Sequence, residues 1–247
     1  MVTPKERAGG GQRRRGRPPG RTAQGLESRK RLYEVAIRLI ASRGYEATRL
    51  RDVAAEAAVS VGLLYRYFPN KRAVVLALYD ELSAEYASRA TAMPHGPWRK
   101  RFIYAMRTSL ETLRPHRSTL TALVTLLVGD PGEGLFAPAT SFSRVRVQAV
   151  FTAAVSGATD APPMKLVEPM GRLLYLIHLG VLLWWLLDKS REQRATEALV
   201  GSIGRALPVA RFILRLPPAR AFIVAADLAF REALLDDTPS GREIKAD

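Results

Sequence analysis

The sequence predicts an all-α fold with a small N-terminal domain and a larger helical domain behind it. From residue 28 onward, apolar residues recur every three or four positions, as they do on one face of a helix. No segment shows convincing alternation of apolar and polar residues, which is the pattern of a half-buried strand. The 247 residues suffice for one large core or two small ones.

The first predicted helix runs from Ser28 to Arg43. Its apolar stripe ends just before Gly44, a residue type common immediately after a helix because it tolerates a positive φ. Thr48 is placed to cap the helix that follows, and we expect its hydroxyl to face outward.

Residues 50–68 contain two short predicted helices with only a tight turn between them, the spacing of a helix-turn-helix. Ser60 can cap the second helix by accepting a hydrogen bond from a free backbone N–H. Leu64 and Phe68 lie four residues apart and can pack against the first helix. The residues that then face away from the core are small or aromatic and uncharged, namely Val61, Gly62, Leu63, Tyr65 and Tyr67. The alternative is that these are simply two core helices of an all-α domain.

The segment GYEATRLRDVAAEAAVSVGLLYRYFPNKRAVV, residues 44–75, resembles the DNA-binding region of the TetR family of bacterial repressors. Two positions depart from the family pattern: Ala58 replaces the usual turn glycine, and Leu63 replaces a threonine or other polar residue. If φ is positive at Ala58, its Cβ brings slight strain. The matching positions are Gly44, Tyr45, Thr48, Val53, Ala54, Ala57, Val59, Ser60, Gly62, Leu64, Tyr65, Tyr67, Phe68 and Lys71.

The resemblance implies a homodimer that sets two recognition helices into a palindromic double-stranded DNA operator and is released by a small-molecule effector, largely apolar in character. Leu63 can pack against a thymine methyl group. Tyr65, Tyr67 and Lys71 are expected to contact phosphates. The full predicted set of DNA contacts is Arg15, Arg17, Thr48, Ser60, Val61, Gly62, Leu63, Tyr65, Tyr67 and Lys71.

Positive charge is concentrated at the N-terminal end of the chain. Of the net charge of +15, residues 1–72 carry +11 and the remaining residues carry +4. Lys and Arg gain affinity for nucleic acid by neutralising phosphates. A polyanion is therefore the predicted partner of this part of the chain.

Residues 1–27 are rich in Gly, Pro and Arg and lack hydrophobic periodicity, which predicts a disordered basic arm. The Arg15-Gly16-Arg17-Pro18 core resembles an AT-hook, whose two arginines enter the minor groove of A·T-rich DNA. A non-specific basic tail is the alternative.

Three further segments complete the predicted organisation: the helix-turn-helix domain at 28–72, an effector-binding and dimerisation domain at 73–237, and a polar tail at 238–247. Pro208 is a candidate kink in the predicted helix 192–214. The apolar run from Leu173 to Leu187 is too short for a membrane span and predicts a core or interface helix.

The second domain is expected to hold both the ligand pocket and the dimer interface. These two sets are inferred from bulky apolar residues on its helices, and most such residues belong to the core first. Trp98, Phe102, Met106, Tyr175 and His178 are the candidate pocket residues, and Trp184, Leu199 and Ile203 are the candidate interface residues.

Catalytic and metal-binding patterns are not evident in the sequence. Cysteine is missing, and the three histidines stand apart without a partner base, nucleophile or metal-ligand motif. We therefore predict neither enzyme activity nor a cofactor or metal. The N-terminus has no apolar signal region, which favours a cytoplasmic location. An effector-independent architectural DNA-binding protein, or an activator, stays open beside a ligand-released repressor.

Overall fold

The computed structural model describes residues 23–132, 134–213 and 216–235. Within these ranges the chain is helical, with short 3-10 turns and no strand, which confirms the predicted fold class. The α-helices are α1 Ala23–Arg43, α2 Leu50–Glu56, α3 Val61–Tyr67, α4 Lys71–Ala90, α5 Trp98–Leu113, α6 Arg117–Ala122, α7 Val124–Gly129, α8 Ser141–Ser156, α9 Met164–Leu187, α10 Arg194–Ile213 and α11 Pro217–Leu235.

Two helix boundaries differ from the prediction. Helix α1 begins at Ala23, so the last residues assigned to the disordered basic arm are helical. The apolar spacing of 118–128 also predicts one continuous helix, but this segment is divided at Leu123, whose backbone leaves the helical region at φ −100° and ψ 2°. The Leu123 side chain is fully buried at this break, so the chain turns there while keeping an apolar anchor in the core.

The N-terminal domain is a three-helix unit with α1 packed against α2 and α3. The predicted stripe of α1 is buried, and Leu64 and Phe68 from the end of the domain close the same core. Helix α4 leaves this unit and continues into the second domain, where it packs against α5 and α8. Helix α6 also touches α1, so the two domains meet at a second place.

Helix α9 is the central helix of the second domain. It spans 24 residues, longer than the apolar run suggested, and by length and composition alone it could cross a membrane. Buried helices of soluble proteins pass the same test. Here α9 packs against α8, α10 and α11, in agreement with the prediction of a core helix.

Polar contacts fix both ends of α9. Near its start, the Arg172 guanidinium donates two hydrogen bonds to the Asp227 carboxylate on α11, at 2.6 and 2.9 Å. At its end, Arg117 from α6 donates to the carbonyls of Trp185 and Asp188. The last carbonyls of a helix lack the N–H groups of a following turn, so Arg117 serves as a C-terminal cap.

Candidate functional site

The turn between α2 and α3 has the geometry that the sequence predicts. Ser60 precedes α3, and its hydroxyl oxygen accepts a hydrogen bond from the Leu63 N–H at 3.2 Å. Ala58 lies in the left-handed region at φ 53°. The Val59 N–H donates to the Ala54 carbonyl at 3.0 Å, so the positive φ is needed to close the end of α2.

Replacing Ala58 with glycine should stabilise the fold by about 1 kcal/mol, because a Cβ at positive φ costs about 1 to 2 kcal/mol and glycine gives back part of this in backbone entropy. Ala58 is exposed, so no packing is lost. Urea unfolding would measure the gain. Ala55→Gly, at an exposed helical position of α2, is the matched control and should destabilise by about 1 kcal/mol. If both variants changed the free energy of unfolding in the same direction, backbone strain at Ala58 would be contradicted.

Helix α3 presents the outward face that its spacing predicts. Leu64 is fully buried and Phe68 nearly so, whereas Val61 and Tyr65 are about half exposed. Gly62 is exposed as well, and a Cβ built there would meet nothing within 4 Å. Leu63 and Tyr67 are half-buried at the edges of this face. The surface is thus weakly polar and free of bulk at its centre, which suits close approach to a groove.

The expected role of Thr48 is wrong. Thr48 is 2% exposed, and its hydroxyl donates a hydrogen bond to the Gly44 carbonyl at 2.8 Å. Arg49 occupies the cap position of α2 and makes no side-chain cap. The Thr48 hydroxyl therefore serves the turn after α1 rather than the α2 cap or a phosphate.

Lys71 also has a different local role from the one expected. Its ammonium group donates to the Tyr45 carbonyl at 2.7 Å and lies 4.3 Å from the centre of the Tyr45 ring. It is also 3.9 Å from the Glu46 carboxylate. These contacts tie the start of α4 to the loop after α1, so the lysine stabilises the domain, and its contact with a phosphate stays a prediction.

Two exposed arginines at the helix-turn-helix are not among the predicted DNA contacts and are candidates for that role. Arg66 lies on α3 and Arg49 lies just before α2, and neither side chain forms an ion pair with another described residue. Their positive charge and their position at the helix-turn-helix could have identified them in the sequence as candidate DNA contacts. The predicted AT-hook residues Arg15 and Arg17 lie outside the described residues.

A cavity of about 120 Å³ lies in the second domain between α4, α5, α8 and α9, with α6 and α7 at its side. Its wall is predominantly aliphatic. Of the five predicted pocket residues, Tyr175 and His178 line it. Trp98, Phe102 and Met106 do not line it, although they are buried to a similar extent in the core. Phe102 packs on Phe151 of α8 with 5.9 Å between ring centres, so this part of α5 faces a neighbouring helix instead of the cavity.

His178 is the main polar group in this wall. Its Nε2 lies 2.8 Å from the Ser109 hydroxyl, and its ring is parallel to that of Tyr86. Burial lowers the pKa of His178 from 6.5 to about 4, so the ring is neutral near pH 7. The cavity therefore presents uncharged polar groups at this side.

Acidification should destabilise the protein through His178. Its pKa is lower in the folded than in the unfolded state, so its contribution is complete above pH 6.5 and is lost as the pH falls toward 4. The loss between pH 7 and pH 4.5 should be about 2 kcal/mol. Urea unfolding at both pH values would measure it, with the Ser109→Ala/His178→Leu double variant as control. An equal pH dependence in the two proteins would contradict this assignment.

The predicted interface residues lie in different environments. Trp184 on α9 is 50% exposed, whereas Leu199 and Ile203 on α10 are partly buried against their own domain. Ile177 and Leu187, one or two turns from Trp184 on α9, are also exposed, as is Phe222 on α11. Exposed apolar side chains thus occur on both α9 and α11.

Comparison with known proteins agrees with the geometry of α2 and α3. The family model described as bacterial regulatory proteins, tetR family, matches residues 32–78. This segment contains most of α1, all of α2 and α3 and the first turns of α4. The chain is therefore similar to the tetR family over its N-terminal domain.

Two curated relatives match a short part of the chain. The transcriptional repressor KstR of Rhodococcus jostii is 51% identical over 45 residues, which is 18% of this chain and 21% of the relative. KstR of Mycobacterium tuberculosis is 47% identical over 58 residues, 23% of this chain and 26% of the relative. The chain thus matches only about a fifth to a quarter of the length of these relatives.

Solved structures extend the likeness to the whole fold. A putative TetR-family regulator from Syntrophomonas wolfei has a TM-score of 0.56 at 18% identity, over 75% of this chain and 97% of that one. A tetR-family regulator from Streptomyces coelicolor has a TM-score of 0.54 at 20% identity, over 87% of this chain and 92% of that one. At this identity the likeness shows a shared fold.

Proposed function

We propose that the chain is a DNA-binding transcriptional regulator, a repressor that binds a palindromic operator as a homodimer and leaves it when a small molecule enters the cavity. The observation that supports this most directly is the outward face of α3, which is small at Gly62 and held by a capped turn on a buried core. The function of the KstR relatives as transcriptional repressors points the same way.

Helix α4 supplies the route by which a bound molecule would affect DNA binding. At one end, Lys71 holds the loop after α1. Two to four turns later, Tyr79, Leu82 and Tyr86 form part of the cavity wall. A ligand that displaces this wall moves a helix attached to the DNA-binding domain, and the operator affinity falls by the difference in ligand affinity between the two states.

Contacts from α8 hold α4 in place. The Arg146 guanidinium donates to the Asp80 carboxylate at 2.9 Å and to the Ser83 hydroxyl at 2.7 Å. Ser83 also lines the cavity. These contacts place a polar connection between the cavity wall and the middle of α4, which a ligand can disturb.

The homodimer is proposed from the exposed apolar surface of α9 and α11. An aspartate in place of Trp184 would put a charge in that surface and should give monomers in light scattering. Because Trp184 is half exposed, the monomer fold should survive. Leu199 and Ile203 are less suitable for this test, since a charge there would also damage the core of one subunit. An unchanged dimer would place the interface elsewhere.

Selection of bound sites from random double-stranded DNA tests the proposed function. We expect enrichment of two inverted half-sites about 34 to 36 Å apart, the distance that places two recognition helices in successive major grooves. Intact protein should also favour A·T pairs beside the half-sites if the Arg15 and Arg17 arm acts as an AT-hook, and a chain lacking residues 1–22 should not. Failure to enrich any sequence would refute the proposal.

Operator binding measured with and without ligands separates this function from an architectural one. Affinity that no bound molecule lowers would favour the effector-independent protein. As a DNA-binding regulator, the protein is proposed to act in the cytoplasm.

A further inference from the structure

Two polar atoms in the cavity wall are buried without a partner. The Tyr86 hydroxyl and His178 Nδ1 have no hydrogen bond to a described residue, although both side chains are at least 97% buried. Most buried polar atoms in proteins are paired, and leaving one unpaired costs free energy. Both residues line the same cavity, so a molecule inside it can supply what they lack.

The rest of the wall is hydrocarbon. It is formed largely by leucines and valines from α4, α5, α6, α7 and α9, together with Leu135. Such a wall favours a guest whose surface is mostly apolar, because each apolar area removed from water stabilises the bound state. One water-sized group needs about 10 to 15 Å³ of such space, so a cavity of about 120 Å³ takes roughly ten heavy atoms.

Arg144 is the one permanent cation in the cavity wall among the described residues. Its Nη1 donates to the Leu135 carbonyl at 3.1 Å and to the Ala137 carbonyl at 3.3 Å. It thereby holds the loop between α7 and α8 against the domain. The groups that lack hydrogen-bond partners are the neutral ones, Tyr86 and His178, so a guest that pairs with them needs no charge.

We infer that the cavity binds a compact uncharged molecule of hydrocarbon character, whose single hydroxyl or carbonyl oxygen accepts a hydrogen bond from Tyr86. This deepens the proposed function, since it rests on the cavity being the effector site. The oxygen satisfies the buried hydroxyl, and a hydroxyl group on the guest can in addition donate to or accept from His178. The hydrocarbon body fills the space between the leucines.

Matched series of small molecules test this class. Nonanol, nonanone and nonanoate form one series, and menthane, menthol, menthone and menthanecarboxylate form a second on a ring skeleton. Binding is measured by calorimetric titration and by the shift of the melting temperature. We expect the alcohols and ketones to bind the wild-type protein more tightly than the carboxylates and than menthane.

Tyr86→Phe isolates the proposed hydrogen bond. This variant should weaken the alcohols and ketones about 3- to 10-fold, the usual effect of one hydrogen bond, and leave the affinity for menthane unchanged. The melting temperature of the free variant should stay the same or rise, because an unpaired buried hydroxyl has been removed. Tyr104→Phe, the same change on α5 outside the cavity wall, should alter neither affinity.

Three results would overturn the inference. One is unchanged affinity of Tyr86→Phe for the alcohols and ketones. Another is tightest binding by the carboxylates with its loss in Arg144→Met, which would assign an anionic guest. The third is no binding by either series. Operator binding of the same wild-type preparation is also measured without ligand. If the protein binds DNA but none of these molecules, only this inference is refuted. If it binds no DNA, the proposed function is refuted.

Discussion

Replacing Gly62 with glutamate should lower the affinity for operator DNA a hundredfold or more while the protein stays folded. The position is exposed on α3, and a Cβ there meets nothing within 4 Å. Glutamate also has a better helix propensity than glycine, by about 0.5 to 1 kcal/mol. A carboxylate at this place would meet the negative groove and phosphates of DNA, and such like-charge contacts cost several kcal/mol.

Two control variants separate the possible causes of this loss. Gly62→Gln has nearly the same size without the charge, so its difference from Gly62→Glu reports the electrostatic part. Ala84→Glu adds the same charge at an exposed position of α4, far along the chain from α3. Fluorescence anisotropy on labelled operator measures the affinities. Equal affinity of Gly62→Glu and Ala84→Glu would show that α3 does not face DNA.

Replacing Asp227 with alanine should lower the free energy of unfolding by about 3 kcal/mol. The carboxylate is 3% exposed and accepts both hydrogen bonds from Arg172, so its removal leaves a largely buried guanidinium without its main partner. Breaking a buried pair in this way costs about 3 to 5 kcal/mol. We expect the lower end of this range of costs because Arg172 keeps its contact with the exposed Glu168 at 3.2 Å.

The double variant Arg172→Met/Asp227→Leu is the control for this prediction. Exchange of a buried ion pair for apolar residues of similar size is often close to neutral, so the double variant should be more stable than Asp227→Ala. Urea unfolding measures all three proteins. A change below about 1 kcal/mol in Asp227→Ala would mean that apolar packing alone holds α11 on α9.

The helix-turn-helix could be predicted in detail because its signals are local. The burial of Leu64 and Phe68, the Ser60 cap and the strained Ala58 all follow from residues within one turn of each other. Short-range hydrogen bonds and helical spacing determine them almost completely. The predictions that failed depend on contacts between residues far apart in the chain.

Lys71 makes a long-range contact that its residue type did not indicate, a hydrogen bond to the carbonyl of Tyr45, 26 residues earlier. The pocket residues show a prediction that failed. Helical spacing correctly indicates that Trp98, Phe102 and Met106 are buried, yet it cannot say which neighbour they face. One turn beyond Met106, Ser109 reaches the cavity and Leu113 follows it there.

Parallel selection from random DNA with wild-type protein and Leu63→Thr is the most direct test that α3 recognises DNA bases. Leu63 lies at the edge of the outward face, where an apolar side chain can contact a thymine methyl and a threonine can also form a hydrogen bond. The account predicts that the variant keeps the two inverted half-sites and changes the preferred base at one position in each. A preference that is identical in both proteins, or that weakens equally at every position, would contradict it.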